Sequence, residues 1–248
     1  FLKNETGAIS YGSTPVENGT KVYLNGELIT DVVFPAELNE VGQMTFMNWK
    51  QLNSVELHDG ITSIGDSAFK VCTSLKSISI PQSVTSIGSS AFQSCTSIES
   101  INIPSGVKTI SYYTFSSCGN ENANIIISDG VEVIRNSAFE GSKIASVIIP
   151  ASVKEIHYDA FNYCRNLSSV YCMGAPASAI NWSYGNAFEN NAEGRKIYVP
   201  GAYLYEYTKA SGWSKYSADI EIMSTSAENT IVYTTSDNKA LTISEYAD

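Results

Sequence analysis

Two histidines, five cysteines and 25 carboxylates are the side chains of this 248-residue chain that could do chemistry. A metal centre or a catalytic set requires such groups to converge, so their spacing decides what they can be. His58 and His157 fall in different columns of a repeat set out below, four units apart, which bars a shared metal or a common triad. Serine is abundant, but no base is placed beside any one of them. Neither GxSxG, a P-loop, GxGxxG, HExxH nor an EF-hand loop occurs. Glu132, Glu155 and Asp159 can lie on adjacent units, where a solvated convex face accounts for them. No cofactor, metal or catalytic residue is expected, and the chain does not read as an enzyme.

The cysteines point to architecture instead. Cys72, Cys95, Cys118 and Cys164 each follow a phenylalanine by three positions, with Ser142 in the same place in the intervening unit and Trp49 and Asn191 at the ends. Same-column residues of stacked coils lie roughly 5 Å apart, so distance does not forbid bonding. A column shared with Ser, Trp and Asn reads better as small buried side chains facing a tight turn. No CxxC or Cys/His spacing suggests zinc.

The phenylalanines that index this column are Phe46, Phe69, Phe92, Phe115, Phe139, Phe161 and Phe188, at steps of 23, 23, 23, 24, 22 and 27 residues. A period in the twenties held over most of a chain signals a solenoid. Fourteen and twelve positions before the first six marks stand the pairs Val32/Phe34, Val55/Leu57, Ile78/Ile80, Ile101/Ile103, Ile125/Ile127 and Val147/Ile149. A spacing of two between β-branched residues predicts a short strand with both side chains on one face. Pro35, Pro81, Pro104 and Pro150 end the strands without having to donate to a ladder. Further apolar columns follow (Leu38, Ile61, Val84, Val107, Val131, Val153, then Val41, Ile64, Ile87, Ile110, Ile134, Ile156), and a turn through Gly65 or Gly88 leads to the inward Ala-Phe pair. The expectation is a parallel β-sheet on one face and short helical or irregular segments on the other, in seven to eight coils of ~23 residues. No coil is stable alone, because its apolar gain about equals its ordering cost.

The ends depart from the pattern. Residues 1–27 are polar and Gly-rich, and KVYL and ELIT flank Asn25-Gly26, the pairing a hairpin turn prefers; this predicts an N-terminal cap. The solenoid is expected over 28–223, with a C-terminal cap from about 195 built of a helix near 202–210, an aromatic wedge at Trp213 and Tyr216, and a last strand near 220–223. Residues 224–248 read as a hairpin that serves as a linker or opens a further module. The net charge of −10 repels phosphate and argues against nucleic-acid binding. No apolar run is long enough to span a membrane, and no leader of basic then apolar residues opens the sequence.

One row is a candidate binding surface. The outward residue of each strand, between the two buried ones, runs Val33, Glu56, Ser79, Asn102, Ile126, Ile148, Tyr171, Tyr198. Its second half is apolar and aromatic, so Ile126, Ile148, Tyr171 and Tyr198 are expected to form one exposed patch suited to a partner. The alternative is that the loop 173–187 or the C-terminal tail covers it.

LKSISIPQSVTSIGSSAFQSCTSIESINIP closely resembles the BspA-type leucine-rich repeats of bacterial surface proteins, and IYVPGAYLYEYTKASGWSKY resembles the unit that closes such arrays. The likeness covers roughly residues 28–223. It implies a leucine-rich-repeat solenoid, secreted or at the cell surface, acting as an adhesin-like binding module. The partners it implies are a host matrix protein, a glycan or another bacterial surface protein. An architectural spacer within a larger surface protein is the competing expectation.

Overall fold

The computed structural model describes residues 27–177, 179–180 and 186–223, together with the strands 23–24, 232–234 and 240–242. The chain is a stack of about eight turns, and two parallel ladders run along its axis. The first ladder uses Asp31–Val33, Ser54–Glu56, Ser77–Ile78, Ser100–Ile103, Asn124–Ile127, Ser146–Ile149, Ser169–Cys172, Lys196–Val199 and Ile220–Ile222. Its strands bury alternate residues, such as Ile101 and Ile103, and turn the residue between them outward.

A second ladder went unread in the sequence. It is built from two-residue strands at Glu40–Val41, Ser63–Ile64, Ser86–Ile87, Thr109–Ile110, Val133–Ile134, Glu155–Ile156 and Ala179–Ile180. Elements this short carry no alternation to detect; only the buried Ile column betrays them. Each coil thus has three sides: a strand, a bridge, and a run of turns.

The turn side is where the sequence predicted helical or irregular segments, and the structure places consecutive tight turns there. From Phe46 to Phe161 the residues two before and two after each phenylalanine adopt positive φ, as at Ser67 (55°) and Val71 (63°), or Ser90 (57°) and Ser94 (61°). Alternating hands of backbone leave every second N–H free to bond along the axis. Phe69 N donates to Ala91 O at 2.8 Å, Phe92 N to Thr114 O at 2.9 Å, and Phe115 N to Ala138 O at 2.7 Å. These main-chain bonds run one way, from each coil to the next.

Between the three sides lies one continuous core. Phe46, Phe69, Phe92, Phe115, Phe139, Phe161 and Phe188 stack with centroids 4.9–5.4 Å apart and planes within 14° of parallel. All seven are buried, with Leu52, Leu75, Ile98, Ile144 and Leu167 in a parallel column.

The irregular steps leave marks. From Phe115 to Ile125 is ten positions and from Phe139 to Val147 eight, where Phe92 to Ile101 is nine. The extra residue is taken up by a turn at Gly119 (φ 88°), closed by Asn122 N donating to Asn120 Oδ1 at 2.9 Å. The compensating deletion precedes Ser146–Ile149, and the first ladder is interrupted between Asn124–Ile127 and that strand. The second ladder is interrupted between Ser86–Ile87 and Thr109–Ile110. There the Ser111 hydroxyl, not a main-chain N–H, donates to Ile87 O at 2.9 Å.

The last described segment leaves the repeat pattern. A six-residue helix, Leu204–Lys209, is followed by buried Trp213 and Tyr216 and the closing strand Ile220–Ile222. Tyr207 Oη donates to Gly174 O at 3.0 Å and Trp213 Nε1 to Ala177 O at 3.2 Å, tying the cap to the long loop. Tyr23–Leu24 pairs antiparallel with Glu27–Leu28, and Val232–Thr234 with Ala240–Thr242, as hairpins require. Asn25-Gly26 and most of the expected tail module lie outside the described residues.

Candidate interaction surface

The outward row of the first ladder is set by register. Ile148 lies opposite Tyr171, Tyr171 opposite Tyr198, and Tyr198 opposite Glu221. Ile126 belongs to the neighbouring sheet, in register with Asn102, so it meets Ile148 only across the interruption. Three of the four expected residues therefore share one hydrogen-bonded row, and the fourth borders it.

All four side chains are half-buried rather than fully exposed. For the two tyrosines the cause is mutual packing: the Tyr171 and Tyr198 rings stack at 4.9 Å with planes 15° apart. A stack of this kind closes ring faces and presents edges. Beside the row run Ser146, Ser169 and Lys196, the last bonded to Glu221 at 2.7 Å. That bond, with the attraction of the Glu221 charge, raises the Lys196 pKa. The loop after Cys172 does not roof the row where it is described: Ala179–Ile180 pairs with Glu155–Ile156 on the second ladder.

The histidines are far apart in the stack, as the repeat requires. His58 Nε2 lies 3.1 Å from Pro35 O, and its Nδ1 accepts from Gly60 N at 3.1 Å. His157 is enmeshed. Its Nδ1 donates to Asn136 Oδ1 at 3.1 Å, while Nε2 lies 3.3 Å from Arg135 Nη1 and 3.1 Å from Glu155 Oε2. A neutral ring accepts from Arg135, and a protonated one donates to Glu155. Glu132 pairs separately with Lys154 at 2.8 Å, and Asp159 accepts from Asn162 Nδ2 at 2.9 Å, so the three carboxylates do not act together. Among the described residues no group of His, Cys, Asp and Glu could hold a metal ion.

The five cysteines are buried free thiols. Cys72, Cys95 and Cys164 donate to the carbonyls of Phe46, Phe69 and Phe139, each at 3.0 Å. Asn191 Nδ2 makes the equivalent bond to Phe161 O at 2.8 Å, which explains why Asn can occupy a cysteine column. Burial pushes Cys72, Cys118, Cys164 and Cys172 up to about 12.

Residue-by-residue reading overlooked a second group of exposed side chains. Tyr112, Tyr113 and Tyr163 are 45%, 43% and 47% exposed on or beside the turn side. Comparing columns would have found the first two, since Ser-Tyr-Tyr-Thr-Phe stands at 111–115 where coil three has Gly-Ser-Ser-Ala-Phe at 88–92.

Stacked short parallel strands, a phenylalanine core and a closing unit define a leucine-rich-repeat solenoid. The chain belongs to the BspA type leucine rich repeat family, whose description matches in six copies over residues 18–126 and 120–211. It is similar to a leucine-rich repeat protein from Eubacterium ventriosum (28% identity over 73% of this chain, TM-score 0.52). This chain spans only 44% of that protein's length. A leucine rich repeat protein of T. pallidum shares the fold (24% identity, 77% of this chain and 85% of that one, TM-score 0.54). So does one from Bacteroides ovatus (24% identity, 71% of this chain and 50% of that one, TM-score 0.50). No curated protein matches the chain. Among the described residues no helix is long and apolar enough to cross a membrane.

Proposed function

We propose that this chain is a non-catalytic binding module, displayed outside the cell or on its surface, that recognises a protein partner through the sheet face at Ile126, Ile148, Tyr171 and Tyr198. The observation that carries this reading is the change of character along one row. Glu56 and Ser79, in the coils before the interruption, give way to Ile148 and a stacked tyrosine pair beyond it. Tyrosine serves interfaces because its ring contributes apolar area at little entropic cost while its hydroxyl stays wet. The rings occupy one another's faces, which favours packing of protein side chains against their edges over stacking of a sugar. A repeat family of bacterial surface proteins is the setting in which such a module works.

A second reading, an architectural spacer, draws support from the chain's spanning 44% of a longer relative. The two part in a binding assay. Immobilised matrix proteins are titrated with the wild-type chain and with Tyr171→Ser/Tyr198→Ser, and circular dichroism controls the fold. A binder loses at least tenfold in affinity in the double variant. Equal binding by both proteins removes the sheet face from the account, and no binding by either favours the spacer.

A further inference from the structure

The corner between the second ladder and the turn side changes its chemistry halfway along the stack. In the first three coils the residue after the second-ladder strand is Gly42, Gly65 or Gly88, followed by Gln43-Met44, Asp66-Ser67 and Ser89-Ser90. In the next three coils that position becomes Ser111, Arg135 and His157, followed by Tyr112-Tyr113, Asn136-Ser137 and Tyr158-Asp159. The main chain sets these neighbours side by side: Tyr113 N donates to Asn136 O at 3.4 Å and Ser137 N to Tyr158 O at 3.3 Å.

From this juxtaposition we infer a second, carbohydrate-binding site at the corner of coils four to six, centred on Tyr112, Tyr113, Asn136, Arg135 and His157. Three features carry it. First, Tyr112 and Tyr113 are the only pair of adjacent exposed aromatics among the described residues, at 45% and 43%. No stacking partner is described for either ring, unlike Tyr171 and Tyr198. Second, Tyr113 adopts φ 57°, a conformation that β-carbon sterics disfavour and that Ser67, Ser90 and Ser137 occupy in the same column. Met44 and Asp159 share the conformation, so the fold accepts varied side chains at this position, and Tyr113 is its one aromatic, 43% exposed. Third, the polar groups are held in place. His157 Nδ1 lies 3.1 Å from Asn136 Oδ1, a contact that orients the amide and leaves its NH2 as a donor.

The chemistry selects the ligand class. Exposed aromatic faces beside fixed amide, guanidinium and carboxylate groups suit a ligand with apolar C–H faces and many hydroxyls. A protein hot spot needs an apolar pocket that excludes water, and here the neighbouring coil, whose Asn136 carbonyl accepts from Tyr113 N, brings the polar Asn136-Ser137 pair beside the tyrosines. A phosphorylated ligand meets Glu155, 3.1 Å from His157, and a chain of net charge −10.

The test uses a panel of immobilised neutral and acidic oligosaccharides, with hits titrated calorimetrically. The diagnostic variant is Tyr112→Ser/Tyr113→Ser, which restores the Ser-Ser that coil three carries at 89–90 and so preserves the fold. The wild type is expected to bind members of the panel, with at least a tenfold loss in this variant and unchanged affinity in Tyr171→Ser/Tyr198→Ser. That second arm separates the corner site from the sheet-face site, whose failure leaves this one standing. Absence of any saccharide bound by the wild type overturns the inference. So does equal binding by the Ser-Ser variant, or loss only in the sheet-face variant.

Discussion

The main-chain N–H of Phe188 donates to the hydroxyl of Tyr216 at 3.2 Å. In every earlier coil the matching N–H reaches the carbonyl of the following coil, as Phe161 N reaches Ala187 O at 2.8 Å. Tyr216 is thus a side-chain substitute for a turn that does not exist. Arg195 holds it from the other side, its guanidinium 4.9 Å from the Tyr216 ring centre and its Nη2 2.6 Å from Asp219 Oδ2.

Replacing Tyr216 by Phe keeps the ring and removes the acceptor, leaving the Phe188 N–H buried without a partner. The expected cost is about 1–3 kcal/mol. In a chain of this size that lowers the melting temperature by about 2–4 °C per kcal/mol. Thermal and urea melts followed by circular dichroism read it directly. A variant as stable as wild type rejects the capping role.

Gly88 tests the tightness of the early coils. A β-carbon there would sit 2.5 Å from Asp66 N and 2.7 Å from Gly65 C, both backbone atoms that cannot give way. Gly88→Ala is expected to destabilise by about 1–3 kcal/mol through overpacking. The reciprocal change Ser111→Gly should be milder, because coil four already accommodates a side chain at that position. Urea midpoints compared between the two variants measure the contrast, and equal losses would contradict the close-approach explanation.

The thiols make a prediction in pH. The ordinary thiol value is 9.0, and burial raises Cys72, Cys118, Cys164 and Cys172 to about 12. Each group's folded value lies above its unfolded one, so the native state holds more protons between these limits. Its contribution to stability is whole below pH 9 and is lost as pH rises towards 12. Native protein at pH 8 should leave a thiol-reactive dye unused, whereas urea-unfolded protein consumes five equivalents. Rapid labelling of the folded chain would show that the column is open to solvent.

Much of this architecture was legible because one column repeats another. Phe69, Phe92 and Phe115 are spaced by a coil and stack at 5.2 and 5.4 Å, so periodicity alone located the core. Trp213 and Tyr216 broke the period and are the cap. The second ladder was hidden because Ser63–Ile64 or Ser86–Ile87 is too short to show alternation. The left-handed residues were hidden too, since Ser67 or Val71 carries no glycine signal for a positive φ. At the sheet face, composition named Tyr171 and Tyr198. It missed that the rings face each other, and that Ile126 and Ile148 straddle an interruption between two sheets.

The one-way bonding of the turn side makes the rod a directed object, like a queue in which each member leans on the one ahead. Only the foremost needs a wall, and that wall, carried by Tyr216, is indifferent to how many stand behind it. A gene encoding such a protein can gain or lose whole rungs upstream of its terminator without redesigning either end, so reach becomes adjustable independently of the ligand-facing chemistry.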